Sequence, residues 1–378
     1  MAECIIDEFT YGHQRSRPIC HPDTRKELFA KLQQWEQEKQ GKEQIFWIKD
    51  DAGCGKSTVA STKSSDWMLH KSMAAQMYCP SDMNEVLQIK NIIRHIAVQL
   101  VAFESIRELV VRLLRETQIH HHHPSTCFQK LISDPLQRLN QPDPVFLIID
   151  AVDNLGFDEQ EDLLKILAKQ LPKTPSVKVL ITSRQSLDII HDLKREGLLY
   201  GLSEHSVASD SSNADDIKQY VYSELRQSKF SDRDRDAVIR YSDGHFEIAA
   251  QLCHQLARSR GHKQIVEALV SGNGSMEGVD GLHANTLRQA FKDKKPKERE
   301  EALHVLRVLV TCFEPLSIEG GFSHLLDRNK NDRNDEVASL LKVFQDLAVL
   351  ERANDEQPLV LMNEPFKQFV CSTLSPLD

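Results

Sequence analysis

Short apolar runs alternate along the chain with longer stretches in which apolar side chains return every three or four residues. Leu28, Leu32 and Trp35 follow that helical spacing and predict a helix over 24–39, with Asp23 or Thr24 as its N-cap. Through Gly41 it leads into an apolar run, Ile45-Phe46-Trp47-Ile48, that predicts a strand. A helix is expected over Ser57 to His70 and a second strand over Ala74 to Cys79. Helical patterns follow at Ile89 to Ala102, Ser105 to Leu114 and around Phe128 to Leu139. Val145-Phe146-Leu147-Ile148-Ile149-Asp150 is a near-continuous apolar run ending in a carboxylate, as expected of a central strand buried on both faces, and Val177 to Arg184 predicts a third strong strand ending in polar residues. Alternation of strand and helix predicts an α/β domain with a parallel sheet.

Beyond Leu202 the texture changes. Ser203 to Ser212 reads as a polar linker, followed by helices over Asp215 to Arg226 and Asp234 to Ala257, the second interrupted near Asp243-Gly244. A glycine-rich stretch, 271–282, precedes three more helical patterns: Glu298 to Val310, Ser317 to Leu326 and Asp335 to Leu347. Val349 to Glu351 and Leu359 to Met362 can then pair as a hairpin across Asn354-Asp355-Glu356, and three helices followed by a hairpin is a winged-helix arrangement. The expected organisation is an N-terminal segment with a linker helix (1–44), a parallel-sheet domain (45–202), a small helical domain (203–275) and a winged-helix domain (276–378).

Composition narrows the class of protein without naming a function. The 378 residues suffice for two or three domains, and 40% hydrophobic with 27% charged residues is ordinary for a globular chain. A net charge of −9 leaves no overall basic footprint, so nucleic acid is not the expected partner. No run approaches the roughly 18 apolar residues of a membrane span and the N-terminus lacks a signal-peptide pattern, so no membrane partner is expected and the cytoplasm is the default compartment. The eight cysteines, Cys4, Cys20, Cys54, Cys79, Cys127, Cys253, Cys312 and Cys371, are dispersed without C-x-x-C pairs, which fits a reducing compartment and indicates neither zinc nor a disulfide framework. His120 to His123 resembles a metal tract, but consecutive positions cannot all converge on one ion, and a solvated loop is the favoured reading.

Candidate chemistry gathers at the ends of the strands. Residues 50–58, Asp-Asp-Ala-Gly-Cys-Gly-Lys-Ser-Thr, lie between an apolar strand and a helix and match a phosphate-binding loop. Amides of Ala52, Gly53, Cys54, Gly55, Lys56, Ser57 and Thr58 would converge on a pyrophosphate at the helix N-terminus, with Lys56 as a point charge and Ser57 as a hydroxyl ligand for Mg²⁺. Asp50 stands where the pattern has its first glycine. A positive φ there would cost about 1 to 2 kcal/mol. Repulsion between Asp50, Asp51 and a phosphate would add about 1 kcal/mol at 4 Å in water and about 4 kcal/mol at an effective dielectric of 20. Several charge-assisted bonds of about 1.5 to 3 kcal/mol each oppose this, so the expectation is weakened rather than lost binding. For Cys54 there are two readings: a thiol activated by the helix N-terminus and Lys56, or a small residue filling the loop, the latter favoured.

Asp150 ends a central strand, at the sheet edge where open α/β folds bind ligands, and is placed to hold Mg²⁺ through water opposite Ser57. Asp153 either positions an attacking water or serves as a turn or cap residue. Arg184 either reaches a γ-phosphate or is a surface charge. Three strands ending in Lys-Ser, Asp and Ser-Arg argue for one shared site.

Taken together, these residues resemble a NACHT-type nucleoside triphosphatase of the signal-transducing STAND class, especially the fungal proteins related to incompatibility and NOD-like receptors. The likeness rests on Cys20-His21-Pro22-Asp23-Thr24-Arg25, Phe46-Trp47-Ile48 before Ala52 to Thr58, Ile96-Ala97-Val98-Gln99-Leu100, Leu147 to Asp153 and Thr182-Ser183-Arg184, then Gly244-His245-Phe246 and Glu314-Pro315-Leu316-Ser317. The resemblance implies a P-loop NTPase sheet domain followed by a small helical domain and a winged helix. It also implies a switch in which ADP holds a compact form and exchange for ATP permits self-association into a homo-oligomer. By resemblance, Lys56 contacts the β- and γ-phosphates, Ser57 and Asp150 hold Mg²⁺, Asp153 assists hydrolysis and Arg184 senses the γ-phosphate. Asn363 stands where the family usually has a histidine touching the ADP β-phosphate, and Asn154 where it often has a glutamate; Asn can donate a hydrogen bond but cannot become cationic.

The expected function is therefore a cytosolic ADP/ATP switch with Mg²⁺ and slow ATP hydrolysis, its signalling partners unspecified. Asp50, Asn154 and Asn363 motivate the alternative of a catalytically silent scaffold. A DNA-loading ATPase is the third hypothesis, and the net charge opposes it. Neither an effector domain before the first strand nor a repeat array after the winged helix is read in this sequence, so a module without sensor or output is expected.

Overall fold

The computed structural model describes residues 18–38, 43–79, 89–115, 122–138, 144–184, 202–207, 210–227, 229–258 and 262–271, with two short strands and a few isolated positions beyond. The chain divides into two compact units, Met1–Asp216 and Ile217–Asp378.

Five strands of the first unit form one parallel sheet: β1 (Ile45–Lys49), β2 (Ala74–Tyr78), β3 (Val145–Asp150), β4 (Val177–Ser183) and β5 (Leu202–Ser206), in the order β2-β3-β4-β1-β5. β3 and β4 are buried along their whole length, which is why their sequences are continuous apolar runs rather than alternating ones. Side chains still sort by face. Trp47, Leu147 and Val179 pack on one side with helices α3 (Ile89–Leu100), α4 (Glu104–Arg115), the helical segment α5 (124–137) and α6 (Phe157–Gln170). Phe46, Phe146 and Leu180 pack on the other with α1 (Lys26–Gln37) and α2 (Lys56–Leu69). There Trp67 stacks on Phe146, with ring centroids 4.1 Å apart, a contact worth about 0.5 to 1.5 kcal/mol beyond the area it buries.

One lysine interrupts the apolar pattern of β4. Lys178 is buried over the Trp35 ring and donates to the Trp35 carbonyl at the end of α1, so a cation meets the negative end of that helix. Burial pulls its ammonium below the usual lysine range, against the pull of Glu38, Glu36 and Glu43.

Three local expectations are corrected. Neither Asp23 nor Thr24 caps α1: Arg25 occupies the N-cap in a left-handed conformation (φ 57°), and Thr24 instead donates its hydroxyl to the His21 carbonyl. The helix expected from Phe128 begins at Pro124, where the His123 ring accepts from the Ser125 amide, and it passes through a π turn at Gln129–Ser133. Leu202–Ser206 is not linker but edge strand. Lacking an apolar run, it is held by the ladder to β1, by the Lys49–Glu204 ion pair at 2.7 Å and by the Ser206 hydroxyl on Asp50.

Helix α7 (Asn213–Glu224) begins in the first unit, which ends at Asp216, and the second unit goes on with α8 (Asp232–Ser242), α9 (Phe246–Arg258) and α10 (His262–Ser271). Val221, Leu225, Val238, Ile248, Leu252 and Leu256 form its core. Ser231 and Asp234 cap α8 reciprocally, and Asp243 (φ 42°) with Gly244 (φ 83°) breaks the helical run where the sequence placed the break. β6 (Leu350–Glu351) and β7 (Val360–Leu361) pair antiparallel, matching the expected hairpin. The three helices expected before it lie outside the described residues, as does Asn363.

Candidate functional site

The parallel ladder brings the C-terminal ends of β1, β4 and β3 side by side. The chain leaves β1 at Asp50, whose amide still donates to the Ser183 carbonyl (3.3 Å), then turns through Gly53 (φ 80°) and Gly55 (φ 88°) into α2. These two glycines take the left-handed positions that other residues fill at a cost. A side-chain carbon added to Gly55 would meet nothing within 4 Å, so open space lies over the loop at that point. The first-turn amides of Lys56, Ser57 and Thr58 have no carbonyl one turn back in the helix and are available to an anion.

Asp50 does not behave as its sequence position suggests. Its φ is not positive, so the strain expected at the missing glycine does not arise. Its carboxylate, 1% exposed, accepts from the Asp51 amide (2.8 Å) and the Ser206 hydroxyl (2.9 Å), and is thereby turned towards β5. A glycine is dispensable here because the turn is made further along.

Lys56 donates to the carbonyls of Asp50 (2.8 Å) and Asp51 (2.6 Å). Burial pulls its ammonium below the ordinary lysine range, while Cys54, Asp153, Asp50 and Asp150 pull it back up. The reading of Cys54 as an activated thiol is overturned. Burial, followed by the field of Asp50, pushes it up to about 11, outweighing Lys56.

Ser57 and Asp150 meet as the sequence predicted: the hydroxyl donates to Oδ1 at 2.9 Å. Thr182, which carried no role in the sequence reading, completes this cluster. Its hydroxyl donates to the same carboxylate oxygen and accepts from the Ala151 amide at 2.9 Å. The sheet order explains why. β4 lies between β1 and β3, so its last residues separate the loop from Asp150 and bridge them. A serine hydroxyl beside a fully buried carboxylate is an all-oxygen donor set that fits a hard divalent cation completed by water and phosphate oxygens.

After Asp150 the chain turns sharply at Ala151 (φ 61°) into a short 3₁₀ turn, Val152–Asn154. From it Asp153 forms a two-point pair with Arg184, accepting from Nε at 2.6 Å and from the backbone amide at 3.0 Å. The guanidinium side chain is 47% exposed and the carboxylate 14%. Asn154 donates to the Cys79 carbonyl at 2.8 Å, fastening the turn to the end of β2. Of the expected site residues, Lys56, Ser57, Asp150, Asp153 and Arg184 thus line the same sheet edge. Ala52, Gly53, Cys54, Gly55 and Thr58 form the loop and the first turn of α2. His122 and His123 do not gather: one lies 3.2 Å from Lys130 and the other caps α5.

This sheet order, with the glycine turn into α2 and the Ser57–Asp150 contact, defines a P-loop nucleoside triphosphatase fold. Residues 23–184 match the family model described as nephrocystin 3, N-terminal. No curated protein matches the sequence. Among solved structures, a Walker-type ATPase of Pyrococcus abyssi is 13% identical over 94% of this chain and 98% of its own, with a TM-score of 0.47. Cdc6p of Pyrobaculum aerophilum is 14% identical over 97% of each chain, with a TM-score of 0.44. At such scores the likeness adds nothing to the sheet order and loop geometry. No helix among the described residues is long and apolar enough to cross a membrane.

Proposed function

We propose that this chain is a cytoplasmic nucleotide-dependent switch of the NACHT-type STAND class, its P-loop domain followed by a helical domain and a winged helix. In this reading it binds ADP or ATP with Mg²⁺ and hydrolyses ATP slowly, and its nucleotide state governs conformation and self-association. The observation that carries this reading is the Ser57 hydroxyl on the buried Asp150 carboxylate, beneath a glycine turn at a helix N-terminus. Structural cores have little use for a buried carboxylate beside a phosphate loop; a cation site does.

In this reading the residues take the following roles. Lys56 turns from the Asp50 and Asp51 carbonyls to the β- and γ-phosphates, exchanging two neutral acceptors for charged ones. Ser57 and Asp150 hold Mg²⁺, which when bound neutralises charge on the phosphate oxygens. Arg184, drawn away from Asp153, senses the γ-phosphate and leaves the Asp153 carboxylate free to orient a water. A ligand that makes this exchange only when a γ-phosphate is present interacts differently with two conformations, and that difference shifts their populations. By the resemblance alone, Asn363, which lies outside the described residues, would donate to the β-phosphate. The partners are nucleotide and a second copy of the chain; DNA is disfavoured by the net charge of −9.

One observation favours a second reading, a silent scaffold: Lys56 and Arg184 both have acceptors within the protein. The deciding experiment is to denature the purified protein and identify any released small molecule, then to titrate the emptied protein with Mg-ADP and Mg-ATP. Released ADP, with binding lost in Lys56→Ala, is the expected result. Absence of any nucleotide together with no heat of binding supports the scaffold.

A further inference from the structure

Arg25 ends the Cys20–Arg25 segment of the sequence resemblance, where it carried no role, and its side chain reaches the phosphate loop. Its guanidinium is buried (Arg25 is 2% exposed) and donates through Nη2 to the Cys54 carbonyl at 2.9 Å and through Nη1 to Asn213 Oδ1 at 2.7 Å, across 29 and 188 residues of sequence. Its backbone amide donates to Asp216 Oδ2 at 2.9 Å. The backbone carries a left-handed conformation (φ 57°) that L-residues avoid, so the surrounding bonds hold it there against that cost. Upstream, the Cys20 amide donates to Thr62 on α2 at 2.8 Å, fixing the same segment to the helix that follows the loop.

We propose that Arg25 is a positioning residue for the phosphate cradle. The Cys54 carbonyl and the Gly55 N–H belong to one planar trans peptide and point in opposite directions. Holding the carbonyl on a buried guanidinium therefore aims the Gly55 N–H away from Arg25, on the side of the loop opposite the cation. Gly55, at φ 88° and with no side chain, has wide rotational freedom of its own, so the direction of this amide needs an external anchor. A cationic donor on the carbonyl also polarises the peptide and strengthens the N–H on its other side. Arg25 thus acts on a bound diphosphate through the Cys54–Gly55 peptide and touches no part of the ligand. Asn213 positions Arg25 in turn. The neutral amide oxygen suits this role, because a carboxylate there would draw the guanidinium from the carbonyl.

The inference rests on the nucleotide-binding reading and is tested separately from it. Inorganic pyrophosphate and ADP are competed against a fluorescent ADP analogue on the full chain, for the parent, Arg25→Lys and Asn213→Ala. Lysine keeps the charge but cannot hold the carbonyl and Asn213 together. Both probes should weaken by the same factor, about tenfold in Arg25→Lys and less in Asn213→Ala, because the loss falls on the phosphates. A parent that binds neither probe overturns the nucleotide reading and this one with it. Unchanged pyrophosphate affinity in either folded variant overturns this inference alone. So does a loss confined to ADP, which would place Arg25 at the nucleoside. Should Arg25→Lys not fold, Asn213→Ala decides by the same measure.

Discussion

Asp150 and Asp153 stand three residues apart and live in different worlds. Asp150 is sealed under the loop, its Oδ1 shared by the Ser57 and Thr182 hydroxyls. Asp153 sits on a 3₁₀ turn at the rim and holds an arginine that is half in solvent. A buried carboxylate with hydroxyl donors is fixed by what surrounds it, and replacing it strands its partners. A rim pair is worth about 0.2 to 1 kcal/mol and can be exchanged for a stronger anion. Nature of burial, more than residue type, separates the anchored element of this site from the exchangeable one.

The largest effect should come from the floor. Asp150→Asn is expected to lower ATP hydrolysis at least about a hundredfold and to make nucleotide affinity indifferent to Mg²⁺, read by titration with and without EDTA. At the rim, Asp153→Asn frees Arg184 for the γ-phosphate. ATP affinity relative to ADP should rise about twofold to fivefold, the equivalent of the exposed pair, and the gain should shrink with added salt. Competition binding at two salt concentrations checks this, and equal behaviour of the two variants would break the distinction between floor and rim.

Lys56 gives a pH test. Its free-state pKa is depressed by burial, and an adjacent phosphate raises it. Between the two values the complex holds more protons than the free protein, so affinity for ADP is flat below the depressed value and falls as pH rises through it, by at most about tenfold per unit. Calorimetry in buffers of different ionisation enthalpy should register proton uptake in that alkaline window. A rising affinity would contradict the assignment. The smallest effect belongs to the turn joining floor and rim. Ala151→Gly relieves a left-handed alanine at the expense of chain entropy, and thermal unfolding should show a gain within about 1 kcal/mol.

What could be read from the sequence followed from burial and local spacing. β1, β3 and β4 were legible because strands covered on both faces need continuous apolar runs. The loop and Asp150 were legible because phosphate binding ties particular residue types to a strand end. β5 was not, since Leu-Ser-Glu-His-Ser draws its stability from a neighbour and from Lys49 rather than from hydrophobic content. Asp50 misled because the glycine rule describes a backbone angle, and here the chain turns at Gly53 and Gly55 instead. Thr182 required knowing that β4 lies between β1 and β3. Arg25 and Asn213 required the fold itself, being 188 residues apart.

The strand order also shapes the birth of the molecule. Ile45 finds its partners at Val179 and Leu202, so the segment carrying Trp47 leaves the ribosome long before either neighbour has been made. Until then this greasy ribbon can lie against helices such as α1 but has no strand to pair with, and a nascent polypeptide halted after α6 would be sticky and unable to align the ends of β1 and β3. Completion of β4 is the step at which translation joins β1 to β3 and turns an aggregation hazard into a continuous sheet edge.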